Sequence, residues 1–454
     1  MASALELGDI LPTYRIDLAL PPAERYKAVA TLHRDDLVAL TSIFDGLVTS
    51  IAPNVSLAWV KGVARLLLRR VYSSEETEEL RGISLVTGIE MYLIIALNVL
   101  LDVMMGCTSG AALSKRSDGA RRMLHFRTLD WGMDALRRVL VQFEYVRAPD
   151  VESVLATSIT YIGFVGVLTG VRRGLSVSLN FRPNHDDSGW LRGLRYYGSQ
   201  ALVLLGWRRS ISSVLRGYIV PTDAMRKGYW RRVLGWRVRE ASQGGMWPTL
   251  RSICDEILQT PSTAAYLILC DGREATVIEK DHRTAFSDSS SSFIVATNSD
   301  NLTPLVESKD EDTEMLFGAA LGTGEAITMA DFIKDSKERR ACVQARWDEK
   351  VAQAQLVARS RKRTTAAARH DPLRRTRSSR LHETSSSVTS PLTTSEETVV
   401  DASESLEVTA SPDEIIAWTA VYPTTNEMTH FAAVLDPTEG KVLWSRRFVD
   451  PLEF

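Results

Sequence analysis

A cysteine that follows a glycine and precedes two hydroxyl residues is the feature of this chain best suited to chemistry. Cys107 stands between Gly106 and Thr108, and an Arg-x-x-Asp pair, Arg127 and Asp130, follows twenty residues later. A thiol is a weak nucleophile until a base removes its proton. If the chain is cut between Gly106 and Cys107, the new α-amine, with a pKa of about 8, can serve as that base.

In this hypothesis the Asp130 carboxylate holds the amine in place, and the Arg127 guanidinium binds carbonyl or acidic oxygens. The alternative is that Cys107 is a buried core cysteine, since free cysteines are among the most buried residues of proteins. Four cysteines in all occur in the chain, and their spacing suits neither a zinc site nor a small disulfide scaffold.

These residues resemble the core of the acid ceramidase and N-acylethanolamine-hydrolysing acid amidase family, whose members carry Cys-Thr-Ser and Arg-x-x-Asp-aromatic-Gly segments. Here the matching runs are Cys107-Thr108-Ser109 and Arg127-Thr128-Leu129-Asp130-Trp131-Gly132. The family belongs to the N-terminal nucleophile hydrolases, which cut themselves just before the nucleophile. The resemblance implies a zymogen that is cleaved between Gly106 and Cys107, and neither a metal nor an organic cofactor.

The resemblance also implies two further catalytic residues downstream. Family members end a strand in Thr-Asn, where the asparagine donates to the oxyanion, and Asn298 follows Thr297 here. Paired arginines come next in the family, and Arg339 and Arg340 fit, though later in the chain than expected. We prefer Arg340 as the site arginine, with Arg339 as the alternative.

A glycine-rich segment at residues 158–180 resembles the family in a second place. Gly163 and Gly166 would permit close approach of the backbone to a substrate, and Asn180 would be a second oxyanion donor. The alternatives are ordinary hairpin glycines and a turn asparagine.

Residues 190–245 combine basic and aromatic side chains. Within 190–240, eleven Lys or Arg residues stand against Asp223 and Glu240. Such a mixture predicts a lid that faces an anionic membrane surface, because Trp sits at headgroup level while Arg meets anionic lipid. The alternative is a solvated basic face, and no nucleic-acid motif accompanies it. The membrane-facing candidates are Trp207, Arg208, Arg209, Trp230, Arg231 and Arg232.

The elements that must position these residues alternate between helices and strands. Residues 92–105 predict a buried helix, too short for a membrane span. Residues 123–129 and 139–146 predict strands, and Asp271-Gly272 predicts a hairpin turn. The resemblance implies an α+β fold, a four-layer α/β/β/α sandwich of N-terminal nucleophile hydrolase type.

The 454 residues, 44% hydrophobic and with a net charge of −2, fit a globular protein. We predict a mainly helical N-terminal chain at 1–106, which stays associated after cleavage, and a catalytic domain at 107–350. Residues 351–411 predict a disordered insertion, since their composition gives no packed core. Residues 412–454 predict closing strands of the catalytic domain.

The function that the resemblance implies is hydrolysis of ceramide to a fatty acid and a sphingoid base. An N-acylethanolamine or another linear amide is the alternative substrate, and a non-catalytic lipid-binding relative is the alternative of another class. Residues 1–9 lack the pattern of a secretory signal, which predicts a cytoplasmic or peripheral membrane location. The family resemblance implies the lysosome or vacuole instead.

Overall fold

The computed structural model describes residues 9–51, 54–100, 106–116, 118–148, 153–183, 190–221, 247–303, 329–369 and 407–453. The chain forms two compact units. The first comprises Met1–Arg346 and Thr409–Phe454, and the second comprises Trp347–Val408. Both β-sheets belong to the first unit.

Among the described residues, the larger sheet has eight strands. In their order across the sheet, they are β1 (Thr13–Asp17), β4 (Leu140–Val146), β5 (Ala156–Tyr161), β6 (Thr169–Arg172), β7 (Leu175–Phe181), β8 (Ala265–Cys270), β9 (Ala275–Lys280) and β10 (Ala285–Ser290). Only the pairing of β1 with β4 is parallel.

The smaller sheet has five antiparallel strands within the described ranges. In order, they are β11 (Phe293–Ala296), β2 (Gly106–Lys115), β3 (Arg121–Asp130), β12 (Thr429–Asp436) and β13 (Lys441–Arg447). Strands β2 and β3 lie next to each other in the middle, and nearly all of their residues are buried. The candidate catalytic residues of β2 and β3 therefore lie on central strands, whose backbones are hydrogen-bonded on both sides.

Helices cover the outer faces of both sheets. Before the first strand of the smaller sheet, the described chain forms α1 (Lys27–Leu32), α2 (Arg34–Ala39), α3 (Thr41–Ile51), α4 (Leu57–Leu67), α5 (Ser74–Thr87) and α6 (Met91–Leu100). This group packs on the larger sheet, where the ring of Tyr26 meets the ring of Phe143 edge-on.

Later helices complete the layers. They are α7 (Trp190–Leu204), α8 (Ile211–Ile219), α9 (Leu250–Gln259), α10 (Met329–Arg369) and α11 (Pro412–Thr419). Helix α8 contacts β6 and β7 and helix α9 contacts β9, whereas α11 contacts β2, β3 and β12. The two sheets meet through β2 and β3 on one side and β7 and β8 on the other. The predicted α+β class is confirmed, with its helix, sheet, sheet and helix layers.

Several local predictions agree with the structure. Residues 92–100 of the helix predicted at 92–105 lie in α6, and residues 101–105 lie outside the described residues. Strands β3 and β4 occupy the expected positions, and Gly272 turns the β8–β9 hairpin with a φ of 93°. No helix of the described segments has the length and apolar character that a membrane crossing requires.

Two sequence predictions about the C-terminal part are wrong. Residues 351–369 are helical, because α10 continues to Arg369 through a stretch rich in Ala, Gln and Arg, which favour helix without apolar periodicity. Within the predicted closing strands at 412–454, residues 412–419 form α11 instead, whereas β12 and β13 lie in the rest of the range. Ser411 and Glu414 make a reciprocal capping box there, with Pro412 in the first turn. Residues 370–406 of the predicted insertion lie outside the described residues.

Asn98 joins helix α6 to the loop that follows β5. Its side-chain nitrogen donates to the carbonyls of Ile94, at 2.9 Å, and Gly163, at 2.7 Å. Its side-chain oxygen accepts from the backbone N–H of Val165, at 2.9 Å. Because Asn98 is buried, water does not replace it, and the Gly163 carbonyl and the Val165 N–H depend on this one side chain for a hydrogen bond.

We therefore expect Asn98→Ala to lower the free energy of unfolding by about 2–4 kcal/mol, since it strands a buried carbonyl and a buried N–H. Urea unfolding of the Cys107→Ala protein, with and without this substitution, measures the loss. Asn54→Ala, at an exposed turn, is the control and should change stability by less than about 0.5 kcal/mol. Equal effects at the two positions would contradict the assignment.

Candidate active site

The pairing of β2 with β3 arranges the chemical residues on two faces. Gly106 lies opposite Asp130, Cys107 opposite Leu129, and Ser109 opposite Arg127. Directly opposed residues of an antiparallel pair share a face, and successive residues alternate. Cys107 and Arg127 therefore point toward the larger sheet, whereas the Asp130 carboxylate points to the other face.

The Cys107 side chain is completely buried at the beginning of β2, with 0% of its surface exposed. Its Sγ lies 3.3 Å from Nη2 of Arg127 and 3.8 Å from the carbonyl oxygen of Leu179. Its backbone N–H donates to Oδ1 of Asn298 at 2.7 Å. Both the thiol and the nitrogen of the Gly106–Cys107 peptide thus have a fixed partner.

Arg127 is itself held by strand β7 and by its neighbour across the ladder. Its Nη2 donates to the carbonyl of Leu179 at 2.8 Å, and its Nη1 donates to Oδ1 of Asn180 at 2.8 Å and to Oγ of Ser109 at 3.1 Å. Ser109 Oγ also donates to Asn180 Oδ1, at 2.8 Å. This network fixes the guanidinium against the thiol.

On the opposite face, the Asp130 carboxylate is buried and has a partner at each oxygen. Arg339 Nη1 lies 3.0 Å from Oδ2, and Thr429 Oγ1 donates to Oδ1 at 2.7 Å. Burial raises the pKa of Asp130 to about 6, while the charge of Arg339 and the hydrogen bond from Thr429 act to lower it. The two donors therefore favour the ionised carboxylate where burial favours the neutral one.

Helix α10 brings Arg339 to this face. Besides Asp130, the guanidinium donates to Thr108 Oγ1 at 3.1 Å, to Asn298 Oδ1 at 3.3 Å and, through Nε, to Asp335 at 2.9 Å. One turn earlier, Ser336 Oγ accepts the backbone N–H of Asn298 at 2.8 Å. Ser336 and Arg339 thus lie on one face of the helix and fix the end of strand β11.

The preference for Arg340 is corrected by this geometry, which brings the alternative, Arg339, to the cluster. Arg340 is only half-buried, and its charge interacts with Glu279. Adjacent helical residues diverge by about 100°, so only one of two neighbouring arginines can face Asp130. The sequence could not decide between the two arginines, because the choice depends on the rotation of the helix about its axis.

Asn180, Gly163 and Gly166 make contacts within the fold. Oδ1 of Asn180 receives Arg127, and its Nδ2 donates to the carbonyls of Ala296 and Thr297, each at 3.3 Å. A side chain at Gly166 would come within 2.6 Å of Ser212 Oγ. Gly163 has a φ of 91° and presents its carbonyl to the α6 asparagine described above. These glycines therefore seat helices on the sheet.

The six membrane-facing candidates differ in their surroundings. Trp207 is 61% exposed. Arg208 is committed to the fold, since its guanidinium donates to Ser199 Oγ at 2.7 Å and to the carbonyl of Pro261 at 2.8 Å. Arg209 lies over the ring of Tyr72, at 5.5 Å from the centroid. Trp230, Arg231 and Arg232 lie outside the described residues.

The electrostatics of the cluster suit an anionic intermediate. Burial raises the pKa of the Cys107 thiol, and the charges of Arg127 and Arg339 act to lower it, against the opposing charge of Asp130. Within the described part of the cluster, two buried guanidinium groups thus face one fully buried carboxylate. Arg339 is also paired with Asp335, so the charges of the cluster nearly balance. The charge of Arg127 beside Sγ would favour a thiolate or an oxyanion, against the burial that favours the neutral thiol.

Sequence reasoning missed Thr108, Thr429 and Ser336 as members of the cluster. All three are buried and bond directly to Asp130, Arg339 or Asn298. A threonine or serine carries no specific signal by itself. The one usable hint is that Thr108 and Ser336 stand close in the chain to predicted site residues.

Comparisons with known proteins agree on one family. Residues 9–72 match the family model of the beta subunit of N-acylethanolamine-hydrolyzing acid amidase. Over 187 residues the chain is 30% identical to N-acylethanolamine-hydrolyzing acid amidase of Caenorhabditis elegans, covering 38% of this chain and 49% of that protein. Over 189 residues it is 29% identical to acid ceramidase of Mus musculus, covering 38% and 46%. The chain thus matches about half the length of these curated relatives.

Among solved structures, the Caenorhabditis elegans N-acylethanolamine-hydrolyzing acid amidase ortholog overlaps 73% of this chain and 93% of its own. The TM-score of this match is 0.39 and the sequence identity is 17%.

The burial of Arg339 makes a prediction that separates it from its neighbour. Arg339→Gln leaves the Asp130 carboxylate buried without its ionic partner, so we expect a loss of about 3–5 kcal/mol of unfolding free energy at pH 8. The loss should shrink at pH 5, where Asp130 can take up a proton. Urea unfolding of Cys107→Ala protein measures it.

Arg340→Gln serves as the matched control for this measurement. Because Arg340 is half-buried, the change should stay within about 1 kcal/mol at both pH values. Equal losses for the two arginines would contradict the assignment of Arg339 and restore Arg340, which the sequence favoured, as a candidate.

Proposed function

We propose that this chain, which belongs to the acid ceramidase and N-acylethanolamine-hydrolysing acid amidase family, hydrolyses the amide bond of an N-acyl lipid with Cys107 as its nucleophile. One observation carries the proposal. The Cys107 thiol contacts the Arg127 guanidinium, while the Cys107 nitrogen, which cleavage would turn into an amine, contacts Asn298.

The first reaction is on the chain itself. The Cys107 thiol adds to the carbonyl carbon of Gly106, the peptide bond breaks to give a thioester, and water hydrolyses that thioester. The products are a carboxyl group on Gly106 and a free α-amine on Cys107. Glycine suits the position, since a Cβ at residue 106 would lie only 3.3 Å from the Cβ and the carbonyl oxygen of Asp130.

The second reaction uses the amine that the first one makes. The amine takes the thiol proton, the thiolate attacks the amide carbonyl of the lipid, and the proton passes to the leaving amine. Water then hydrolyses the acyl-enzyme. Arg127 and Arg339 supply the positive charge that favours the thiolate and the oxyanion.

Asn298 is the proposed oxyanion donor. Its Nδ2 donates to the carbonyl of Phe181 at 2.7 Å in the intact chain. Stabilising a substrate oxygen therefore means exchanging this bond for one to the oxyanion. Asn180, whose Nδ2 donates to two backbone carbonyls, is assigned to holding Arg127 instead.

We propose ceramide as the substrate, with a fatty acid and a sphingoid base as products. The alternative, an N-acylethanolamine, is favoured by the similarity to the Caenorhabditis elegans protein and by the match at residues 9–72. Both are N-acyl lipids with the same reacting bond, so the chemistry above is common to them. The presence of the complete Cys107, Arg127, Asp130, Asn298 and Arg339 cluster argues against a lipid-binding protein without catalysis.

The two chains made by cleavage stay associated in this proposal. Glu79 of α5 is completely buried, and its Oε1 accepts from Arg216 of α8 at 2.7 Å and from Arg25 at 2.9 Å. Ser213 donates to buried Glu76 at 2.8 Å. The bonds from Arg216 and Ser213 cross the 106/107 boundary, and separating the chains would expose or strand the charges that they pair.

We further propose that the region 190–221 approaches an anionic membrane. Leu194 and Tyr197 of α7, and Trp207 after its C-terminal end, have about three-fifths of their surface exposed. Arg209 follows Trp207 by two residues and lies over the ring of Tyr72. Exposed aromatic and aliphatic side chains beside cations are typical of an interfacial surface. A lipid substrate stays in the bilayer, so the site has to reach the headgroup layer.

Self-cleavage gives the first test of the function. The wild-type chain should yield fragments of about 106 and 348 residues, as the position of the scissile peptide requires, and N-terminal sequencing of the larger one should begin Cys-Thr-Ser. The processed protein should release fatty acid from ceramide or from an N-acylethanolamine in a panel of N-acyl lipids. Cys107→Ala should do neither.

Cys254→Ala removes another buried thiol and serves as the control, with cleavage and hydrolysis unchanged. Lipid hydrolysis by a chain that remains intact would overturn the mechanism. Complete cleavage without release of fatty acid from any lipid of the panel would leave the amidase proposal wrong.

The membrane surface makes a separate prediction. Flotation with liposomes should show binding that increases with anionic lipid and decreases with salt, because each cation near an anionic surface contributes about 1 kcal/mol and salt screens it. Trp207→Ser combined with Arg209→Ser should weaken binding several-fold while hydrolysis of detergent-dispersed substrate stays unchanged.

Arg273→Ser, at an exposed position in the β8–β9 turn, is the charge-matched control and should bind like the wild type. Equal binding of all proteins to neutral and anionic vesicles would show that the basic residues are merely solvated.

A further inference from the structure

Asp130 receives one of its two hydrogen bonds from the C-terminal part of the chain. Thr429 is the first residue of β12, and it is as deeply buried as Asp130 itself. Its Oγ1 accepts the backbone N–H of Asn426 at 2.8 Å and lies 2.7 Å from Asp130 Oδ1. The Asn426 side-chain oxygen is farther away, at 3.4 Å. The single hydroxyl proton is therefore directed to the carboxylate.

The turn that carries Thr429 is fixed on both sides. Arg137, itself buried, donates to the carbonyls of Thr429 at 2.5 Å and Glu427 at 2.7 Å. The N–H of Trp131, the residue after Asp130, donates to the carbonyl of Met428 at 2.6 Å. The hydroxyl thus sits on a backbone that cannot withdraw it without breaking several buried hydrogen bonds.

We propose that Thr429 is a positioning residue for Asp130. The Thr429 hydroxyl keeps the Asp130 carboxylate ionised and oriented between Arg339 and the Gly106–Cys107 peptide. This inference rests on the proposed function together with the hypothesis drawn from the sequence, that the Asp130 carboxylate holds the amine that cleavage frees on Cys107. Thr429 touches neither the thiol nor the scissile carbonyl, so it acts through Asp130.

The charge balance around Asp130 explains why one hydroxyl matters. Burial drives the carboxyl toward its neutral form, and Asp335 of α10 drives it the same way. Arg339, Thr429 and, more weakly, Arg127 oppose them. The other titratable groups whose charges couple into this cluster are Cys107 and Tyr161. Losing the Thr429 donor leaves Oδ1 buried without a partner and shifts the balance toward the protonated acid.

The experiment compares Thr429→Val, Thr429→Ser and Thr128→Val. Thr128 is the matched control, since it is a buried threonine of β3, two residues from Asp130, whose hydroxyl lacks a hydrogen-bond partner in the described structure. The first readout is the titration of Asp130, followed by the ¹³C shift of its labelled carboxyl in Cys107→Ala protein. The second is the rate of self-cleavage as a function of pH in protein with Cys107 intact.

We expect Thr429→Val to raise the pKa of Asp130 by about one unit, since a hydrogen bond to a charged group favours that form by roughly 1.5 kcal/mol or more. The low-pH limb of cleavage should move upward by the same amount, because less Asp130 is ionised at a given pH. Thr429→Ser should restore both values, and Thr128→Val should change neither.

An unchanged Asp130 titration in Thr429→Val, or cleavage reduced equally at every pH, overturns the inference and makes Thr429 a structural residue. If the valine variant does not fold, Thr429→Ala replaces it in the same comparison. A third outcome is that the wild-type chain never cleaves while Thr429→Val still shifts the titration of Asp130. That outcome refutes the proposed function and leaves the positioning of Asp130 intact.

Discussion

The buried ion pair between Asp130 and Arg339 is the interaction on which the site depends. It joins the central ladder of the smaller sheet to helix α10, and the same guanidinium reaches Thr108 and Asn298. A carboxylate at this depth is stable only with its partners in place. The position of the helix, the end of β11 and the start of β2 are therefore coupled through one side chain.

The ladder between β2 and β3 adds a second constraint, because it separates two functions onto two faces. The thiol and Arg127 face the larger sheet, and the carboxylate and Arg339 face away from it. The peptide of residue 107 lies at the edge between the faces, where Asn298 holds its nitrogen. The Cys107 thiol on one face and the Asp130 carboxylate on the other can thus both act on the Gly106–Cys107 peptide without pairing with each other.

The sequence predicted those parts of the site that lie in short contiguous motifs. Cys107, Arg127, Asp130 and Asn298 each stand in such a run, and the structure brings all four together. It could not decide between Arg339 and Arg340, because that choice depends on the rotation of a helix about its axis. Thr429 was unpredictable for another reason, since its partner lies 299 residues away in the chain. The helix at 412–419 was predictable in principle from its capping box.

The distances along the chain between partners also bear on the order in which the protein is made. The two donors to the Asp130 carboxylate, Arg339 and Thr429, lie 209 and 299 residues downstream in the chain. A ribosome that adds about 5–20 residues per second exposes Cys107 some tens of seconds before the last of these donors emerges. Until then, the Asp130 carboxylate lacks one of the two donors that favour its ionised form. If the chain cuts itself as proposed, a chain interrupted before Thr429 would therefore keep its bond intact, and cutting would report that β12 has been made.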